Sequence, residues 1–197
     1  MPHRLLRLRD GDRVLHLGGD SEALAALVGT AGTVSETALT SELPFHANSF
    51  DAALVQHSLA TLEDPAGGVG ELAWVVRGGG RIALCEPDWE SLSIGGVDRD
   101  ITRLIVRQLA NGRADIGRDL PHYLGVAGCH RIQVQPEVLV FRRIADLEAA
   151  LDIGAAALAC VGAETAEHWR QSLIERESDD CFYAAVTIVQ AVGKVMG

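Results

Sequence analysis

Two side chains able to move a proton stand at the ends of two apolar runs. His57 follows FDAALVQ, Phe50 to Gln56, and Glu86 follows RIALC, Arg81 to Cys85. Runs of this kind read as buried strands, and their ends are where a sheet presents side chains to a ligand. An imidazole and a carboxylate brought to one such edge are the minimum for general acid–base chemistry on a bound molecule. Asp88 and Trp89, just beyond Pro87, extend the cluster. A structural reading stands beside the chemical one. Glu86 and Asp88 suit caps of a turn around Pro87, Trp89 suits packing, and His57 suits a loop histidine that caps a helix.

Other candidates carry less. Cys85, Cys129, Cys160 and Cys181 are far apart and form no CxxC pair, so they give no zinc or redox signature and read as reduced, mostly buried thiols. Cys129 and His130 are adjacent, and neighbours on a strand point to opposite faces, which argues against a nucleophile–base pair. His3, His46 and His168 fit no metal-ligand spacing, so no metal site is expected. His122 and Tyr123 beside Pro121 suit helix capping, and Trp74, at helical spacing with Leu72 and Val75, is expected in the core.

A second kind of site is outlined by RVLHLGGDSEALAALVG, Arg13 to Gly29. An apolar strand meets Gly18 and Gly19, and a helix-forming segment follows. That is the outline of a nucleotide-binding turn, where missing side chains let a ligand approach the backbone. Here the turn also holds Asp20 and Glu22. Carboxylates in the first turn of a helix complement its dipole and need no ligand to explain them.

The elements that must position these residues alternate. Strands are expected at Arg13 to Leu17, Gly32 to Thr37, Phe50 to Gln56 and Arg81 to Cys85. Helices are expected from Ser21 to Val28 and from Asp64-Pro65 to the glycines Gly78-Gly79-Gly80. Asp98 to Leu109 has a helical period, Pro121 to Gly128 suits a short helix, and further helices fit Leu147 to Leu158 and Glu164 to Arg176. Arg131 to Phe141 and Phe182 to Val192 read as two late strands, expected to be antiparallel neighbours. The alternation implies an α/β fold with a mostly parallel sheet. No linker composition appears, so residues 1–197 are expected to form a single domain.

Composition bounds the function. The chain of 197 residues is 48% hydrophobic and 22% charged, ordinary for a globular protein with a real core. A net charge of −10 excludes nucleic acid as the expected partner, because phosphate binding needs a basic face. No apolar run is long enough to span a membrane and the start has no secretion signal, so a cytoplasmic location is expected.

From Phe50 onward the order of signals resembles the class I S-adenosylmethionine-dependent methyltransferases that act on small molecules. The segments are LPFHANSFDAALVQHSLATLEDP (Leu43 to Pro65), ELAWVVRGGGRIALCEPDW (Glu71 to Trp89), IGRDLPHYLGVAGC (Ile116 to Cys129) and FYAAVTIVQAVGKV (Phe182 to Val195). The resemblance implies a Rossmann-like sheet flanked by helices, with the cofactor across the carboxyl ends of the first strands. On that pattern Gly18 takes the place of the first cofactor glycine, Asp20 of the second and Glu22 of the third. His16 stands where an acid is usual. Leu39 stands where an acid or amide usually meets adenine, and Glu36 is the nearest candidate for the acid on the ribose. The cofactor contacts implied are therefore Gly18, Gly19, Asp20 and Glu36, in vestigial or atypical form.

Length adds a further departure. First strand to third takes two crossovers of roughly 30 residues each, yet Val14 and Pro44 are only 30 positions apart (44 − 14). One crossover is expected to be shortened. A carboxylate about 4 Å from the methionine carboxylate of the cofactor costs roughly 4 kcal/mol at an effective dielectric near 20. These departures lead us to expect a degenerate methyltransferase-like protein that no longer binds S-adenosylmethionine ordinarily. It would act as a non-catalytic or partner-dependent subunit, in a homodimer or with a methyltransferase partner. One alternative is an active small-molecule methyltransferase using S-adenosylmethionine in an atypical site. Another is a cofactor-independent enzyme, catalysing cyclisation or isomerisation of a small molecule with His57 and Glu86 as acid and base.

Overall fold

A computed structural model of the chain describes residues 3–19, 21–95, 98–110 and 112–197. A short helix α1 (His3–Leu6) precedes β1 (Arg13–Leu17), α2 (Glu22–Val28) and β2 (Thr33–Glu36). No helix or strand occupies residues 37–49. The chain continues through β3 (Phe50–Gln56), a 3-10 turn (Leu59–Thr61), α3 (Pro65–Val75) and β4 (Val76–Ile94). It closes with α4 (Arg99–Leu109), α5 (Leu120–Val126), β5 (Cys129–Phe141), α6 (Ile144–Leu151), α7 (Ile153–Val161), α8 (Ala163–Ser178) and β6 (Ala184–Val195).

The six strands form one sheet in the order β2-β1-β3-β4-β6-β5. β1 pairs in parallel with β2 and with β3, and β3 in parallel with β4. Residues 14–17 of β1 are almost wholly buried because the strand is flanked on both sides, which explains its unbroken apolar run. β6 enters antiparallel: the Gly95 N–H donates to the Tyr183 carbonyl and the Thr187 N–H to Ser91 Oγ, contacts that run in opposite order along the two strands. The fold is thus a mostly parallel Rossmann-like sheet with helices, its antiparallel strand last, and the second crossover reduced to a loop.

By contact density the chain divides into two compact units. One holds residues 1–87, 116–136 and 189–197, the other residues 88–115 and 137–188. In the first, Leu6, Val14, Leu24, Val28, Ala52, Leu54, Ala83 and Val192 form a buried cluster that clamps α1 and α2 on the sheet. In the second, Ile105, Leu147, Leu151, Ile153 and Leu173 are buried among its helices, and Trp169 Nε1 donates to Thr102 Oγ1 at 3.3 Å.

Several local features differ from the expectations. The helix before β4 ends at Val75, and Gly78-Gly79-Gly80 lie inside β4. The ladder shifts there, from Phe50 opposite Val76 to Ala52 opposite Arg81, so the glycines form a bulge rather than a helix stop. Gly79 has φ +81, and a Cβ on Gly80 would lie 2.6 Å from the Asp51 carbonyl, so both positions need glycine. Strand pairing also runs through Pro87 to Ile94, and no turn closes the strand at Glu86. The helix expected over 147–158 is two helices, broken at Asp152 with φ 48. Trp74 is 51% exposed: the buried stripe of α3 is Pro65, Gly68, Val69, Leu72 and Val75, and Trp74 falls off it. No helix of the described residues is long and apolar enough to cross a membrane.

Candidate functional site

The expected site residues meet within the first unit, at the carboxyl ends of β1, β2 and β3. β1 ends in Gly18 and Gly19, with φ +84 and +81, conformations that glycine adopts without strain. A Cβ on Gly18 would collide with the Gln56 carbonyl and lie 2.7 Å from Ser58 Oγ. The turn therefore lies backbone against backbone on the end of β3. A Cβ on Gly19 would lie 3.2 Å from Gln56 Oε1, so the Gln56 side chain packs against this second glycine. Asp20 lies outside the described residues. Glu22 opens α2 and is exposed, as a dipole-complementing carboxylate should be. Ser21 sits at the N-cap position but makes no side-chain cap bond.

Glu36 is the last residue of β2 and pairs in register with His16. The His16 side chain is buried, its Nδ1 3.6 Å from Glu36 Oε1 and its Nε2 3.2 Å from Gln56 Oε1. One imidazole therefore links the ends of β2 and β3 across β1. Glu36 stands where the resemblance implies a ribose acid, it is 59% exposed, and its nearest described partner is this histidine.

Glu86 lies in β4 with 1% of its surface exposed. Its Oε1 accepts the backbone N–H groups of Ser58 and Leu59, each at 2.8 Å. Burial pushes its carboxyl up to about 7, while the two N–H donors pull the other way. Glu86 thus holds the loop after β3, and the turn it caps is Ser58–Leu59 rather than one around Pro87. His57 sits on that loop with φ 52, its N–H donating to the Cys85 carbonyl at 3.0 Å. Its side chain is solvent-exposed, yet enough protein surrounds the ring to hold its pKa below the ordinary value by desolvation. The structure therefore places His57, just past the end of β3, beside β4 next to Glu86, with one Glu86 oxygen engaged by backbone amides. Asp88 and Trp89 are buried in the second unit.

Leu39 is buried on the wall of a cleft of about 710 Å³, together with Thr40, Ser41, Thr61, Leu62 and Asp64. The loop 37–49 supplies one side of this cleft and the start of α3 the other. Asp64 caps α3 through the Gly67 N–H at 3.0 Å, and Pro65 occupies the first turn. Gln56 and Ser58, missed in the sequence, prove central to the site. Their signal is a polar pair ending an apolar strand directly beside a left-handed histidine. Cys129 is buried and its thiol is pushed up to about 11 by desolvation, which removes it as a nucleophile. Among the described residues, no three His, Cys, Asp or Glu side chains converge as a metal site would require.

Comparison with known proteins matches this geometry. Residues 4–84 match the family model described as a methyltransferase domain. A 37.1 kDa protein of the Streptomyces fradiae transposon TN4556 is 35% identical over 103 residues, 51% of this chain and 30% of that protein. A demethylmenaquinone methyltransferase of Corynebacterium kroppenstedtii is 48% identical over 44 residues, 22% of this chain and 19% of that protein. The chain thus spans less than a third of the length of these curated relatives. Among solved structures, a provisionally assigned methyltransferase of Bacillus halodurans superposes with TM-score 0.62 at 15% identity, covering 99% of this chain and 97% of that one. A Haloferax volcanii methyltransferase in complex with the Trm112 activator superposes with TM-score 0.52 at 14% identity, covering 98% and 86%. Residues 4–84 are thus similar to the methyltransferase-domain family, and the fold of the chain is similar to that of solved methyltransferase structures.

Proposed function

We propose that the chain is a single methyltransferase-like domain that no longer binds S-adenosylmethionine in the ordinary way and works as a non-catalytic or partner-dependent subunit. The observation that carries this reading is the bare segment 37–49 between β2 and β3. The crossover that would wall one side of an adenosine pocket is replaced by a loop. The ends of the neighbouring strands also satisfy one another: Glu36 and Gln56 are both drawn to His16, and Gln56 packs against Gly19. A partner that supplied the missing wall would have to dock on the β2 side of the sheet, beside the loop 37–49. The Haloferax volcanii methyltransferase in complex with its activator is a precedent for this fold bound to a partner protein.

Titration calorimetry of the purified chain with S-adenosylmethionine and S-adenosylhomocysteine tests this reading. No binding tighter than about millimolar is expected, whereas micromolar affinity, several kcal/mol stronger, overturns it. Light scattering then reports whether the chain pairs with itself.

A second reading has one observation in its favour. Glu36 does end β2 beside a turn whose two glycines keep their left-handed conformation. An active enzyme would use S-adenosylmethionine there with Glu36 on the ribose. Methylation of a small acceptor by the purified chain, lost in Glu36→Ala, is the result that would favour it. Reuse of the pocket for cofactor-free cyclisation or isomerisation, with His57 and Glu86 as acid and base, draws less support because one Glu86 oxygen is engaged by the loop.

A further inference from the structure

The edge of the sheet opposite Gly18 carries a different chemistry. Two cavities of about 200 and 250 Å³ open there at the start of β4, and Arg7, Arg81 and Lys194 line both. The first is completed by Arg131 and Gln133 and has no carboxylate in its wall. The second adds Arg9 and Arg77, balanced by Asp12 and Asp51. In a chain of net charge −10, whose only lysine is Lys194, this concentration of cations runs against the general composition.

The acids of the second cavity leave the first without a carboxylate. Asp51 is committed to Arg77 Nε at 2.6 Å and to Arg13 Nε at 3.3 Å. Arg81 donates one N–H to the Leu6 carbonyl at 3.0 Å, which fixes it on the wall. Arg7, Arg131 and Lys194 form no ion pair with any described residue. Arg7 and Arg131 also both hold left-handed backbone, φ 51 and 52, a conformation arginine rarely adopts. Gly79, in the glycine bulge, lies beside Lys194 on the wall of the second cavity.

We propose that the carboxylate-free cavity formed by Arg7, Arg81, Arg131 and Lys194 binds a small, multiply charged oxyanion of the phosphate or diphosphate class. Converging guanidinium groups match phosphate oxygens bidentately, and the ammonium adds a point charge. The cavity is concave and small, which suits a compact anion rather than the backbone of an extended polymer. It lies at the opposite edge of the sheet from the turn at Gly18.

Calorimetric titration of the full chain with inorganic pyrophosphate, at low and at moderate salt, tests this. Arg131→Ala and the double variant Arg131→Ala/Lys194→Ala are compared with Arg131→Lys, and thermal unfolding checks that each variant is folded. Saturable binding is expected, weakened about tenfold or more in the double variant and less in Arg131→Lys, which keeps the charge. Inorganic phosphate in parallel separates recognition of a single phosphate from that of a diphosphate, and binding of either supports the class. No saturable binding of either anion, or equal affinity in the folded double variant, overturns the proposal. Tighter binding of a twelve-nucleotide single strand than of pyrophosphate overturns it too, because the face would then be a polymer track.

Discussion

Glu86 Oε1 accepts two consecutive backbone N–H groups, those of Ser58 and Leu59, from within a strand where almost none of its surface reaches solvent. Its carboxyl is raised to about 7 from an ordinary 4.5. Between those values the folded chain keeps the proton while the unfolded chain has released it. Raising the pH through this window therefore removes stability, by up to about 3 kcal/mol. Glu86→Gln keeps an acceptor for both amides and does not titrate. Urea unfolding at pH 5 and pH 8 should show the wild type losing more stability than Glu86→Gln over that interval, and identical losses would refute the assignment.

The Gly18 turn makes a steric prediction. Gly18→Ala places a Cβ against the Gln56 carbonyl in a left-handed conformation, and the clash and the strain add. We expect a loss of about 3 kcal/mol or more in denaturant unfolding. Gly162→Ala is the control: its φ is +78 but nothing lies within 4 Å of the new Cβ, so only the backbone strain of about 1 kcal/mol applies.

Asp51 titrates in the opposite sense to Glu86. Burial tends to raise its pKa, but the bonds from Arg77 and from the Arg13 backbone and side chain together hold it below the ordinary carboxylate value. Its contribution is present above the unfolded pKa and is lost as pH falls through the folded one. Because both arginines are about half exposed, Asp51→Asn should cost only about 1 kcal/mol at neutral pH. The gap to wild type should narrow in acid unfolding experiments below about pH 4.

The thiols should separate kinetically. Cys181 is exposed, whereas Cys85 and Cys129 are buried, and Cys129 is raised to about 11. Mass spectrometry after iodoacetamide treatment at pH 8 should show Cys181 labelled first. Cys129 should react on the order of a hundredfold more slowly until the chain unfolds. Early labelling of Cys129 would contradict the packing of β5.

The sequence carried the skeleton of this fold because its strands are apolar runs with sharp ends. Phe50 to Gln56 reads correctly to the residue, and the shortened path from β2 to β3 follows from chain length alone. The glycine triplet misled because Gly78-Gly79-Gly80 ends a helix and opens a bulge with the same residues; only the register against Asp51 and Ala52 separates the two. Pro87 reads as a terminator, yet pairing continues through it to Ile94. At the site, Gly18 and Glu36 were legible as strand-end residues. The His16 link between Glu36 and Gln56 was not, since it joins side chains 20 and 40 positions from His16. Glu86 read as a turn cap correctly in kind but not in place, because its partners are far away in sequence.

Because β1 is paired on both flanks, with β2 and with β3, the sheet interior is complete with β2 as its outermost strand on that side. An outermost strand is the one component of an open sheet whose removal leaves every remaining hydrogen-bonded ladder whole. The periphery of this architecture can therefore vary while the hydrophobic heart of the domain keeps folding as before.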